Sequence, residues 1–132
     1  MPGFYTIKKD TFRNKYAVRN VLPFKNVYYL KADGSYTQVF DENNEKITIS
    51  YRLGIVQEKM NCLYFFRCHD SYSVNLLHVK NIVKPTDGYS EYYVELTNGV
   101  RIKCSRKLVD ELDDRLTAIR SQISVNKAGQ VA

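Results

Sequence analysis

The dipeptide Asn98-Gly99, set between residues 92–96 and 100–104, limits what this chain can fold into more than any other stretch. A type I′ hairpin turn needs positive φ at both central positions, which Asn and Gly adopt at least cost. N-G between strand-like runs is therefore the strongest short-range hairpin signal a sequence offers. On the second run Val100, Ile102 and Cys104 share one face, which turns Arg101 and Lys103 to the other as a small basic stripe.

The rest of the chain repeats this short-strand grammar. Residues 4–8 and 16–19 read as strands joined by a polar, basic connection, and Pro23 stops the second. Residues 27–30 read as a buried strand, and Asp33-Gly34 turns it into residues 36–40, a second hairpin with the tip K-A-D-G-S-Y. Asn43-Asn44 is a further turn, after which Ile47 and Ile49 alternate with Lys46 and Thr48. Ser50 reads as the cap of a short helix carrying Leu53, Val56 and Met60 on one side, weakened by Gly54.

Residues 64–67 predict a strand, 68–71 a bend and 72–74 another strand. The apolar run 76–83 is closed by Pro85 and Asp87-Gly88. Ser105 reads as the cap of a final helix in which Leu108, Leu112, Leu116 and Ile119 form an apolar stripe. Asp110, Glu111, Asp113 and Asp114 fall in its first half, where the helix dipole favours negative charge. The sum is a mostly β chain with one short helix and one C-terminal helix. Residues 1–121 read as a single domain and 122–132 as a disordered tail without pattern.

Little of this pattern supports catalysis. Cys68 and His69 are a nucleophile and a base by type, yet neighbours on an extended strand point to opposite faces. The glycines are isolated and build no phosphate loop. Cys62, Cys68 and Cys104 lack zinc-ligand spacing and cannot all pair, which implies a reducing, cytoplasmic setting with no metal and no cofactor. There is no leader-like apolar segment and no apolar run long enough for a membrane span.

The net charge of +6 points to an anionic partner. It is uneven: residues 1–25 carry six Lys/Arg against one acid, while residues 26–132 are nearly balanced. His69 reads as a lock on its bend through a backbone carbonyl, and Asn75 as a turn residue bonding backbone.

Three blocks, N-V-Y-Y-L-K-A-D-G-S-Y-T, F-F-R-C-H-D-S-Y-S-V-N and T-N-G-V-R-I-K-C-S-R-K-L, resemble in content and order the LytTR DNA-binding domain of bacterial transcriptional regulators, from about Phe4 to Ile119. The resemblance implies short antiparallel sheets whose loops enter successive major grooves of double-stranded DNA at direct repeats, bound by a pair of protomers. Carried over by position, the first contact falls on Tyr36 with Lys31, Ser35 and Thr37 beside it. The middle contact falls on Asp70 with Arg67 and Ser71, supported by His69 and Asn75, and the third on Arg106 with Lys107.

Arg106 suits bidentate bonding to guanine, whereas Lys107, Arg101 and Lys103 suit phosphates. Asp70 departs from the family's usual Arg or Asn, and Leu30-Lys31 replaces an acidic residue near the first loop. Such domains are commonly the output half of a response regulator in a two-component system. Residues 1–25 leave no room for a receiver or membrane sensor, so a stand-alone regulator or an excised domain is expected, with any upstream partner unspecified. Two other readings compete: a protein-interaction module that kept the fold and lost DNA binding, and a single-strand binder using the eleven Tyr.

Overall fold

A computed structural model describes residues 3–10, 15–85 and 91–130, with the side chains of residues 5–21 and 124–130 left aside. The basic connection at 11–14 and the Asp87-Gly88 turn lie outside the described residues. The described chain runs β1 (Gly3–Asp10), β2 (Lys15–Pro23), β3 (Val27–Asp33), β4 (Tyr36–Asp41), β5 (Lys46–Ile49), α1 (Leu53–Met60), β6 (Phe65–His69) and β7 (Tyr72–Asn75). It continues through β8 (Val79–Val83), β9 (Tyr92–Leu96), β10 (Arg101–Cys104) and α2 (Val109–Gln130).

All described strand pairs are antiparallel, in a β1-β2 ribbon, a sheet ordered β10-β9-β8 and a central sheet ordered β5-β4-β3-β7-β6. The predicted hairpins form at both dipeptides, but in each only the glycine, and not Asn98 or Asp33, takes positive φ. Gly99 takes φ 89° between β9 and β10, and Gly34 takes φ 59° where Asp33 faces Tyr36. Asn44 also sits at positive φ, and the Asp41 carboxylate accepts from the amides of Asn43 and Glu45 to hold that turn.

The central sheet is buried on both faces. On one, Val27, Leu30, Val39 and Phe65 pack against Leu53 and Val56 of α1. Phe4, Leu22 and Phe24 close the rim of this cluster. On the other, Tyr29, Phe66, Cys68 and Val74 meet Val94, Leu96 and Ile102 of the β8–β10 sheet and Leu112 and Leu116 of α2. Leu112 is fully buried, so Leu112→Ala would cost about 2–5 kcal/mol of stability. Polar groups enter this sandwich only when bonded: Gln57 of α1 donates to the Phe65 carbonyl and accepts from the Ser73 hydroxyl.

Several local expectations need correction. Arg52, not Ser50, precedes α1, and no side chain caps it. Ser105 gives no side-chain cap either. A single 3-10 turn over Arg106–Leu108 follows it, closed by Leu108 N–H to the Ser105 carbonyl at 2.9 Å, and the α-helix starts only at Val109. The bend expected at 68–71 is tighter, because β6 runs on to His69 through an irregularity after Phe66. The backbone of α2 is helical to Gln130, past the point where apolar spacing ends and a tail without pattern was expected.

Candidate nucleic-acid interface

Sheet register and one backbone bond bring three tips to one edge. Lys31 of β3 pairs with Tyr72 of β7, so the β3–β4 tip (Asp33 to Tyr36) and the β6–β7 tip (Asp70, Ser71) leave the central sheet at the same end. Ala32 N–H reaches the Ser71 carbonyl at 2.8 Å and ties these two tips together. Ser105 N–H reaches the Cys68 carbonyl at 2.7 Å, which sets the 105–107 corner on the other side of the middle tip. The order across the edge is therefore first tip, middle tip, corner.

At the first tip Lys31, Ser35 and Tyr36 are exposed, Tyr36 at 50%. Gln38 braces the turn: its amide donates to the Asp33 carboxylate at 2.9 Å and its carbonyl accepts from the Thr48 hydroxyl at 2.7 Å. Thr37 does not share this exposure. It points to the α1 side, fully buried, and its hydroxyl donates to the Tyr51 carbonyl, so its expected contact role is corrected to a structural one.

At the middle tip the bonds converge on backbone. Arg67 extends past Gly54 of α1 and donates to the Asp70 carbonyl at 2.6 Å, while His69 Nδ1 accepts the Ser71 amide at 3.0 Å. His69 thus locks the bend as expected in purpose but through an N–H, not a carbonyl, which requires the neutral Nε2–H tautomer. The Asp70 side chain is exposed. Asn75 sits at the far end of β7 and serves a different junction. Its amide donates to the Phe24 and Val27 carbonyls and its oxygen accepts from Leu77 N–H, fixing the entry to β3 instead of the tip.

Between the middle tip and the corner lies an open groove of about 900 Å³ lined by His69, Lys84, Lys103, Arg106, Lys107 and the acid Glu91, among others. Arg106 and Lys107 are exposed in their one-turn corner. Lys103 lies 3.8 Å from Glu91 across the β9–β10 pair. Lys84 was missed by the sequence reading, which saw only the end of an apolar run. The register lines up Val83, Tyr93 and Lys103 across β8, β9 and β10, and Lys84, one residue past β8, lines the same groove as Lys103. Arg101 does not join the group, since it begins β10 at the opposite end and pairs with Glu95 at 3.0 Å.

Cys68 sits beneath this edge, fully buried. Hydrogen bonding with Cys104, then burial, pushes its thiol well above the ordinary range, and the same bond draws Cys104 down. A thiol held protonated and shut from solvent is a packing group, not a nucleophile for the neighbouring His69. Among the described residues no group of His, Cys, Asp and Glu could hold a metal ion, and no helix is long and apolar enough to cross a membrane.

The sequence profile described as LytTr DNA-binding domain matches residues 18–117. Among solved structures, the chain is similar to the LytTr DNA-binding domain of a protein described as a methyl-accepting/DNA response regulator from Bacillus cereus. Identity is 28% and the TM-score 0.61, with 85% of this chain and 95% of that chain covered. No curated protein sequence matches.

Proposed function

Because the chain belongs to the LytTR family of DNA-binding domains, a non-enzymatic fold, we propose that it acts as the sequence-reading output domain of a transcriptional regulator. The observation that carries this is the alignment of three tips on one edge beside a basic groove. The major groove, about 12 Å wide, admits a two-stranded β-ribbon, and the first two tips are such ribbons. In this reading they and the corner enter successive major grooves of duplex DNA in the cytoplasm.

Roles divide by chemistry. Arg106, exposed on a one-turn corner, has the reach for bidentate bonding to guanine O6 and N7. Lys31, Lys84, Lys103 and Lys107 meet phosphates, which fixes position without reading sequence. Tyr36 packs on sugar or donates its hydroxyl to a phosphate. Two protomers on direct repeats would double this footprint.

Fluorescence anisotropy with duplex fragments tests the reading. With six or more phosphates neutralised, affinity should fall about 1,000-fold or more between about 50 and 200 mM salt. Failure to bind any duplex at low salt, or equal binding by Arg106→Ala, would sink it. Stronger competition by single strands would favour the Tyr-based alternative. Salt-independent capture of a protein partner would favour the interaction module.

A further inference from the structure

We propose that Asp70 reads a cytosine, making it the residue that sets the base at the centre of each half-site. The inference rests on the reading that this edge faces duplex DNA. It starts from a contrast among the acids there. Asp33 accepts from Gln38, and Glu91 faces Lys103. The Asp70 carboxylate makes no hydrogen bond or ion pair among the described residues, although it occupies the middle tip.

That tip is built to hold the carboxylate outward. All three bonds that fix it, from Arg67 to the Asp70 carbonyl, from Ser71 N–H to His69 and from Ala32 N–H to the Ser71 carbonyl, engage backbone atoms of residues 70 and 71. The backbone that carries the side chain is thereby fixed, and the carboxylate itself is left free. Reading suits that arrangement, since a tip whose backbone is already ordered has only one short side chain left to order on binding.

Chemistry then selects the partner. An ionised carboxylate only accepts, so phosphate oxygens, guanine N7 and O6 and thymine O4 all repel it. The donors in the major groove are the amino groups of cytosine N4 and adenine N6. On adenine the adjacent N7 acceptor opposes the second carboxylate oxygen, whereas cytosine has no acceptor beside its amino group on that edge. An acid placed centrally between cationic neighbours therefore costs general affinity and returns it only where cytosine is present.

Selection of duplexes from a randomised library by the full chain, followed by sequencing, tests this. The wild type should enrich one central C·G pair, with its cytosine preferred over other bases by about 5- to 150-fold in anisotropy titrations. Asp70→Asn should move that single position toward adenine, whose N6 and N7 suit an amide, and leave the flanking letters unchanged. Asp70→Ala should lose the preference there while keeping the rest of the site.

Replacing the preferred cytosine by 2-pyrimidinone, which lacks the amino group, should weaken the wild type and leave Asp70→Ala unaffected. Identical selected sites for all three proteins, or equal losses on the modified duplex, would overturn the assignment while leaving DNA binding intact. Absence of any selected duplex would instead remove the reading beneath it. Circular dichroism confirms that each variant is folded, as expected for an exposed side chain with no internal bond.

Discussion

The middle tip and the 105–107 corner are neighbours built on opposite plans. In the first, Arg67 and His69 spend their side chains fastening backbone, and one short acid is left to face outward. In the second, a 3-10 turn fixes the backbone, and the exposed Arg106 and Lys107 make no side-chain bond among the described residues. Short and rigid suits discrimination by direction. Long and mobile suits charge attraction, because an ammonium gains from any nearby phosphate whatever its exact bearing. Arg106 lies between these plans, since a planar fork keeps directionality even on a flexible stem.

Substitutions can break this contrast, and the largest effect belongs to the residue that mixes both plans. Arg106→Ala is expected to cost about 1–3 kcal/mol of affinity for the selected site and to relax preference at its own base, read by anisotropy on matched and mismatched duplexes. Arg67→Ala comes next. It frees the Asp70 carbonyl, so specific affinity should drop by about 1 kcal/mol while binding to random duplex stays unchanged. An equal loss on both duplexes would mean that Arg67 meets phosphate directly.

His69→Phe keeps a ring in place but removes the acceptor for Ser71 N–H. A loss of about 0.5–1 kcal/mol on the specific site is expected, with faster amide exchange at Ser71 by NMR. The smallest effect is that of Lys84→Ala. Binding should weaken evenly across sequences, and the slope of log affinity against log salt should become shallower by about 1. A change in sequence preference by this variant would erase the division between the two plans.

Local chemistry made most of the fold legible. N-G and D-G named two hairpins, and the four-and-three spacing of Leu108, Leu112, Leu116 and Ile119 named α2, because turns and amphipathic stripes are properties of a few consecutive residues. What stayed hidden was non-local. Pairing of β3 with β7 joins residues more than forty positions apart, and only that pairing sets the first two tips side by side. Thr37 looked like its exposed neighbours Ser35 and Tyr36, but strand alternation and the nearby Tyr51 carbonyl turn it inward.

Arg67 reads from the sequence as a group shared between scaffold and phosphate, and its bond to the Asp70 carbonyl supplies the scaffold half, a partner that composition alone does not name. Ser50 and Ser105 had the right residue type for caps. In both places the chain enters its helix by another route, through Arg52 or through a 3-10 turn.

The backbone bond from Ser105 to Cys68 acts as a ruler between the middle tip and the 105–107 corner. It joins main-chain atoms, so no exchange of side chains at residues 70 or 106 alters the offset it imposes. Under the DNA-reading hypothesis, letters and spacing are then inherited separately. Substitutions at the tips rewrite which bases are preferred, while the distance between the two recognised positions stays fixed by the single backbone bond that joins β6 to the residue after β10. A lineage of such regulators could exchange its vocabulary one residue at a time without ever losing its metre.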